Sequence, residues 1–139
     1  MRVVLDASAF DVIDGPQGAR LRQLLRDMAT RGHSCWCSAV TLAEVCRGTA
    51  RTRRVEVALA RDRGGARIRV QPTDELVAKL VGSILHTAGR ASDALADAHV
   101  VAIAAADDLA LVVTDDPTDI LGLATAIPAT RVVVRSPLQ

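Results

Sequence analysis

A chain of 139 residues with 17 Lys+Arg, 16 Asp+Glu and a formal net charge of +1 has no bulk charge that selects a partner. Half of the residues are hydrophobic and 24% are charged, which excludes a disordered chain and fits one domain over residues 1–139 with a sizeable core. Phe10 and Trp36 are its only aromatic residues, so a platform for stacking single-stranded bases is not expected.

In chain order, RVVLD (2–6) reads as a short buried strand that ends in an acid. Leu21, Leu24, Leu25 and Met28 recur at helical spacing within 18–32, and Gly32 is the stop. SCWCSAV (34–40) reads as a second strand. TLAEVCRG (41–48) starts a helix in which Thr41 and Glu44 match a capping box, with Glu44 on the first turn. Residues 47–69 carry Arg47, Arg51, Arg53, Arg54, Arg61, Arg63, Arg67 and Arg69 against Glu56 and Asp62, a local balance of +6. Val55, Val57 and Leu59 within this stretch point to a helix with a basic face.

IRVQP (68–72) reads as a third strand. Residues 73–89 form an amphipathic pattern with Leu76, Val77, Leu80, Val81, Ile84 and Leu85 on its apolar face, acids at the start and Gly89 at the end. SDALADAHVVAIAAADD (92–108) reads as an Ala-rich, mostly buried helix. LALVVT (109–114) and TRVVVR (130–135) are the last strands, with a short helix, PTDILGLA (117–124), between them. The strands are continuous apolar runs without polar alternation, and they alternate with helices. Both features predict a parallel sheet covered by helices on both faces.

Cys35, Cys37 and Cys46 are odd in number and do not form a disulfide framework; with His33 nearby they also lack zinc-site spacing. Asp6 interrupts the N-terminus too early for a signal peptide, and no apolar run reaches the ~20 residues of a membrane span. A cytoplasmic protein without a membrane partner is expected.

The acids are more informative. In an open parallel sheet, ligands sit beyond the carboxyl ends of the strands. Asp6 ends the first strand, Asp115 and Asp116 follow the LALVVT strand, and Glu44 lies on the helix after the second strand. Asp93 and Asp97 are one turn apart at the start of the Ala-rich helix. All of them fall at one edge of the sheet. Carboxylates crowded there repel one another unless a cation neutralises them, and oxygen-only donors suit Mg²⁺ or Mn²⁺. Such an arrangement points to phosphoryl-transfer or nuclease chemistry.

VVLDASAF, SAVTLAEVCRG, SDALADAHVVAIAA and LVVTDDPTDI resemble, in order, the four acidic segments of the PIN domain, and the chain length resembles that of VapC-type toxins of bacterial toxin–antitoxin pairs. The resemblance implies a PIN-like three-layer α/β sandwich and a Mg²⁺-dependent endoribonuclease, a hydrolase leaving a 5′-phosphate and a 3′-hydroxyl. It carries the four acids onto Asp6, Glu44, Asp97 and Asp116, which would hold one or two Mg²⁺ ions, with Mn²⁺ an alternative. Ser8 takes the small polar position after the first acid. Asp115 competes with Asp116, and Asp93 is a candidate water-mediated ligand. The resemblance also implies RNA as substrate, a VapB-like antitoxin as partner, and a homodimer. Arg47, Arg51, Arg53 and Arg54 are candidate contacts to the RNA backbone.

Each acid has a plainer reading. Glu44 could serve only the capping box, Asp116 before Pro117 is an ordinary helix start, and Asp93 could complement a helix dipole. The arginines could be a solvated helix face. Asp6 has no capping partner evident in the sequence, and Asp97 lies within a helix among small apolar residues; these two favour function. His33, His86 and His99 form no constellation. The rival readings are a catalytically inactive PIN-like module and a receiver-like module. The sole lysine, Lys79, lies inside a helix, which disfavours the latter.

Overall fold

The computed structural model describes residues 1–60 and 67–139. Strand β1 (Arg2–Leu5) leads into helix α1 (Ala7–Val12), and a 3-10 turn at Pro16–Gly18 leads into α2 (Ala19–Thr30). Then come β2 (Ser34–Ser38), α3 (Ala39–Val45), α4 (Thr49–Ala60), β3 (Ile68–Gln71) and α5 (Glu75–Ala88). A second 3-10 turn at Ser92–Ala94 enters α6 (Leu95–Ala104), followed by β4 (Leu109–Val113), α7 (Pro117–Ala124) and β5 (Arg131–Arg135). The five strands are all parallel, in the order β3-β2-β1-β4-β5. The chain therefore lays strands outward on one side of β1 and then crosses back to lay β4 and β5 on the other. The gap beyond the ends of β1 and β4 is the point where the winding reverses, and ligands of such sheets bind there.

The apolar strand runs follow from burial on both faces. Val3, Leu5, Leu111 and Val113 face a layer that includes Leu21, Leu25 and Ala58. Val4, Ala110 and Val112 face the opposite layer, with Val81, Ile84, Val100, Val101, Ile120 and Leu123. Alternate residues thus enter two separate cores, and both must be apolar. Trp36 on β2 closes one side. The Arg2 guanidinium lies 4.3 Å from its ring centre and that of Arg69 5.6 Å.

Several local expectations change. Helix α1 is additional to the elements read from the sequence, and Asp6 is its N-cap, accepting from the Ala7 N–H at 2.7 Å. The plain capping role judged absent for Asp6 is therefore present. Strand β2 ends at Ser38, not at 40, because Ser38 caps α3 through the Thr41 N–H at 2.8 Å. Thr41 is then inside the helix and buried, the Thr41–Glu44 capping box does not form, and Glu44 sits near the end of α3 rather than on its first turn. The Ala-rich helix begins at Leu95, so Asp97 lies in its first turn, where a carboxylate is favoured by the helix dipole. Leu76 and Leu80 are 77% and 37% exposed, so α5 buries only part of its apolar stripe, through Val81 and Ile84. Arg61, Asp62 and Arg63 of the basic stretch lie outside the described residues.

Two glycines test the packing. Gly18 is where α2 begins, and a Cβ there would stand 2.0 Å from the Val12 carbonyl oxygen and 2.7 Å from that of Ile13. Gly82, in the middle of α5, faces open space. Gly18→Ala is expected to lower unfolding free energy by about 1–3 kcal/mol or more, because backbone must shift. Gly82→Ala is expected to raise it by about 1 kcal/mol, since only helix propensity changes. Urea denaturation followed by Trp36 fluorescence measures both; equal effects would contradict this packing.

Candidate active site

Asp6 leaves the end of β1 and is 8% exposed. Burying a carboxylate is costly unless its oxygens are bonded. One oxygen takes the Ala7 N–H at 2.7 Å, and the other takes the Thr114 hydroxyl at 2.7 Å across 108 residues of sequence. Thr114, itself buried, accepts in turn from the Asp116 N–H at 3.0 Å. The Ser8 hydroxyl accepts from the Asp115 N–H at 3.1 Å. The turn after β4 is thus fastened to the turn after β1 by side chains of Asp6, Ser8 and Thr114.

Asp116 is the N-cap of α7, with Pro117 at the first helical position, and its carboxylate accepts weakly from the Asp119 N–H at 3.4 Å. Asp97 faces this group from α6. Its pKa is pushed from the ordinary 3.8 up to about 6, first by burial and then by the charges of Asp6, Asp119, Asp116 and Glu44, in that order. The pKa of Glu44 is also raised, first by partial loss of water and then by Asp6, while Arg47 opposes the shift. Arg47 is held in place by its Nε, which donates to the Ala43 carbonyl at 3.1 Å.

Asp6, Glu44, Asp97 and Asp116, from four separate elements, are thereby brought into one electrostatic neighbourhood. The exposed carboxylates of Asp93 and Asp115 are not among the charges that act on Asp97. A fifth acid, Asp119, stands in the same acidic segment as Asp115 and Asp116 but is not among the site residues expected from the sequence. It acts on Asp97 more strongly than Asp116 does, and it is paired with Arg90 at 3.2 Å. The signal available was its spacing, one helical turn after the N-cap Asp116, which returns a side chain to the same end of α7.

Among the described residues, no three Asp, Glu, His or Cys side chains converge as a ready-made metal cage. The donor set still fits a hard divalent ion. Mg²⁺ is commonly held by one or two carboxylates while keeping several waters, so a loose ring of acids suits it. The repulsion that lifts Asp97 is what a cation would relieve. Asp6, Glu44, Asp97, Asp116 and Asp119 are the carboxylates that would hold such an ion. Cys37 offers no competing nucleophile: burial, and then Cys46, push its thiol up to about 12.

Of the four arginines marked as RNA contacts, Arg51 is tied to Asp11 at 2.5 Å. Arg54 lines a cleft of about 290 Å³ with Phe10, Asp11 and Arg51, and Arg53 is exposed. His33 Nδ1 accepts from the N-terminal ammonium at 3.0 Å, and His99 is buried with its Nδ1 on the Leu95 carbonyl.

An all-parallel five-stranded sheet with acids gathered where its winding reverses defines a PIN-like α/β protein. The PIN domain model matches residues 3–120, and the chain belongs to that family. PIN domains are in general nucleases. The same fold occurs in the crystal structure of VapBC2 from Rickettsia felis bound to a DNA fragment from their promoter. The TM-score is 0.66 over 97% of this chain and 99% of that one, at 15% sequence identity. No curated protein matches the chain significantly. Among the described residues, no helix is long and apolar enough to cross a membrane.

The raised pKa of Asp97 makes a signed prediction for the metal-free protein. Below pH 3.8 the group is neutral folded or unfolded and contributes nothing. As pH rises from there through about 6, the unfolded chain releases a proton that the folded chain still holds, so stability falls. Asp97→Asn lacks this penalty. Its melting temperature is expected to exceed that of the parent by a margin that grows from pH 4 to about 6 and then levels off. Melts across pH in EDTA check this; a margin independent of pH would mean that Asp97 is not crowded.

Proposed function

We propose that the protein is a metal-dependent endoribonuclease toxin of VapC type, using Mg²⁺ or Mn²⁺ to hydrolyse RNA phosphodiester bonds. The observation that carries this reading is the joint action of Asp6, Glu44, Asp116 and Asp119 on Asp97, at the reversal point of the sheet. A divalent ion bound there supplies Lewis acidity and an activated water at neutral pH. The chain's own residues do the rest. Asp6 is fixed in direction by Ala7 and Thr114, so it would meet an ion there with little reorganisation. Asp97 would offer its carboxylate from α6, with Glu44 and Asp116 as further residues to hold the ion. Arg47, Arg53 and Arg54 offer cations to the RNA backbone, and Arg51 shares its charge with Asp11.

By likeness to the VapBC2 structure, the neutralising partner would be a VapB-like antitoxin; the homodimer and the cytoplasmic location stay as expected from the sequence and its family resemblance. The rival reading, an inactive PIN-like binding module, predicts that the acids can be removed without consequence for any RNA.

Purified Asp6→Asn and Asp97→Asn variants are expected to lose at least about 100-fold in RNA cleavage at saturating Mg²⁺ while keeping the fold. EDTA should abolish parent activity, and Mn²⁺ should restore it. Glu44→Gln removes a crowded charge where no capping box exists, so a fall in cleavage with a melting temperature at or slightly above the parent's is expected. Asp116→Asn should be severe and Asp115→Asn mild, since Asn retains the cap at Asp116 to within ~0.5 kcal/mol. Wild-type rates in both Asp6→Asn and Asp97→Asn would sink the nuclease reading.

A further inference from the structure

Arg90 follows Gly89, whose left-handed backbone (φ 66°) ends α5. Its own N–H donates to the Leu85 carbonyl at 2.9 Å, so the root of the side chain is fixed. The guanidinium then crosses to α7, where Nη1 donates to Asp119 Oδ1 at 3.2 Å. Asp119 is rooted as well, by its N–H on the N-cap Asp116. The two side chains are 31% and 39% exposed. An ion pair that open to water adds little to folding stability. Its effect is geometric: it joins the loop before α6, the helix of Asp97, to the first turn of α7. Among the ion pairs of the described residues, it is the one that reaches an acid acting on Asp97. One Asp119 oxygen is taken by the guanidinium, and no described hydrogen bond reaches the other.

We propose that Arg90 is a positioning residue for divalent-metal binding, acting through the ion pair that fixes Asp119 at the rim of the acidic site. The inference rests on the nuclease reading and adds a residue to it. A carboxylate that serves a metal is commonly held from behind by a hydrogen-bond donor, and the planar guanidinium sets the carboxylate's orientation as well as its charge.

The test is a double-mutant cycle on Arg90→Met and Asp119→Asn, read by calorimetric titration of Mn²⁺ into protein without RNA. Each single variant is expected to bind Mn²⁺ about tenfold more weakly, the usual loss when such a supporting partner goes. The double variant should bind no more than about twofold more weakly than Asp119→Asn alone, because the two residues act as one unit. In cleavage assays, Arg90→Met should lower kcat and leave KM for RNA unchanged. Additive losses would overturn the inference, since Arg90 would then act without Asp119. So would unchanged Mn²⁺ affinity with a lower melting temperature, which is a purely structural role, or with a higher KM, which places Arg90 on the RNA. Tighter Mn²⁺ binding would make the guanidinium a competitor for Asp119 and overturn it too. A parent protein that binds no Mn²⁺ would bring down the nuclease reading, and this inference with it.

Discussion

The hydrogen bond from Thr114 to the buried carboxylate of Asp6 is the constraint on which the rest of the site depends. It joins the ends of β1 and β4, the two strands between which the winding of the sheet reverses. A carboxylate so nearly closed to water is tolerable only because both oxygens are bonded, one of them at the start of a helix. From that bond the site is assembled outward. Thr114 orders the turn that carries Asp116, Asp116 starts α7, and the first turn of α7 presents Asp119.

Electrostatics then sets the acids against stability. Asp97 sits where the N-terminal dipole of α6 favours negative charge, yet burial and four other carboxylates outweigh that help and raise its pKa. Natural folds retain such crowding where a function uses it. Two arginines moderate it from either side: Arg47 acts on Glu44, and Arg90 is paired with Asp119. Each guanidinium thus offsets part of the repulsion among the acids.

Much of this was legible in the residues because the apolar pattern was unambiguous. VVL and LALVV lack polar alternation, as strands buried on both faces require, whereas the VVV run of edge strand β5 leaves Val133 41% exposed. The acids at strand ends were visible for the same reason, since each interrupts a run that burial would otherwise continue. What escaped were features decided by tertiary contact. Helix α1 is six residues long, too short for periodicity to show, and it exists because Asp6 caps it. Ser38 and Thr41 are both good caps, and the paired length of β2 decides for Ser38. Asp119 resembled an ordinary acid in a helix first turn, and Arg90 lies 29 positions away from it. Leu76 and Leu80 follow the apolar period of α5, but the cores on offer do not extend that far.

The central position of β1 also governs when the site can exist during synthesis. Strand β1 lies at the centre of the sheet, and its hydrogen-bonded neighbour β4 is made only after β2, β3 and the helices between them. Until β4 docks, Asp6 lacks its Thr114 partner, and α6 has no completed sheet on which to hold Asp97. A chain that stops at residue 108 lacks Thr114, Asp116 and Asp119, and so cannot fasten Asp6 to the turn that carries them. Long-range parallel pairing of this kind forms late and cooperatively. Topology alone thereby keeps the acidic site unassembled until β4 is in place.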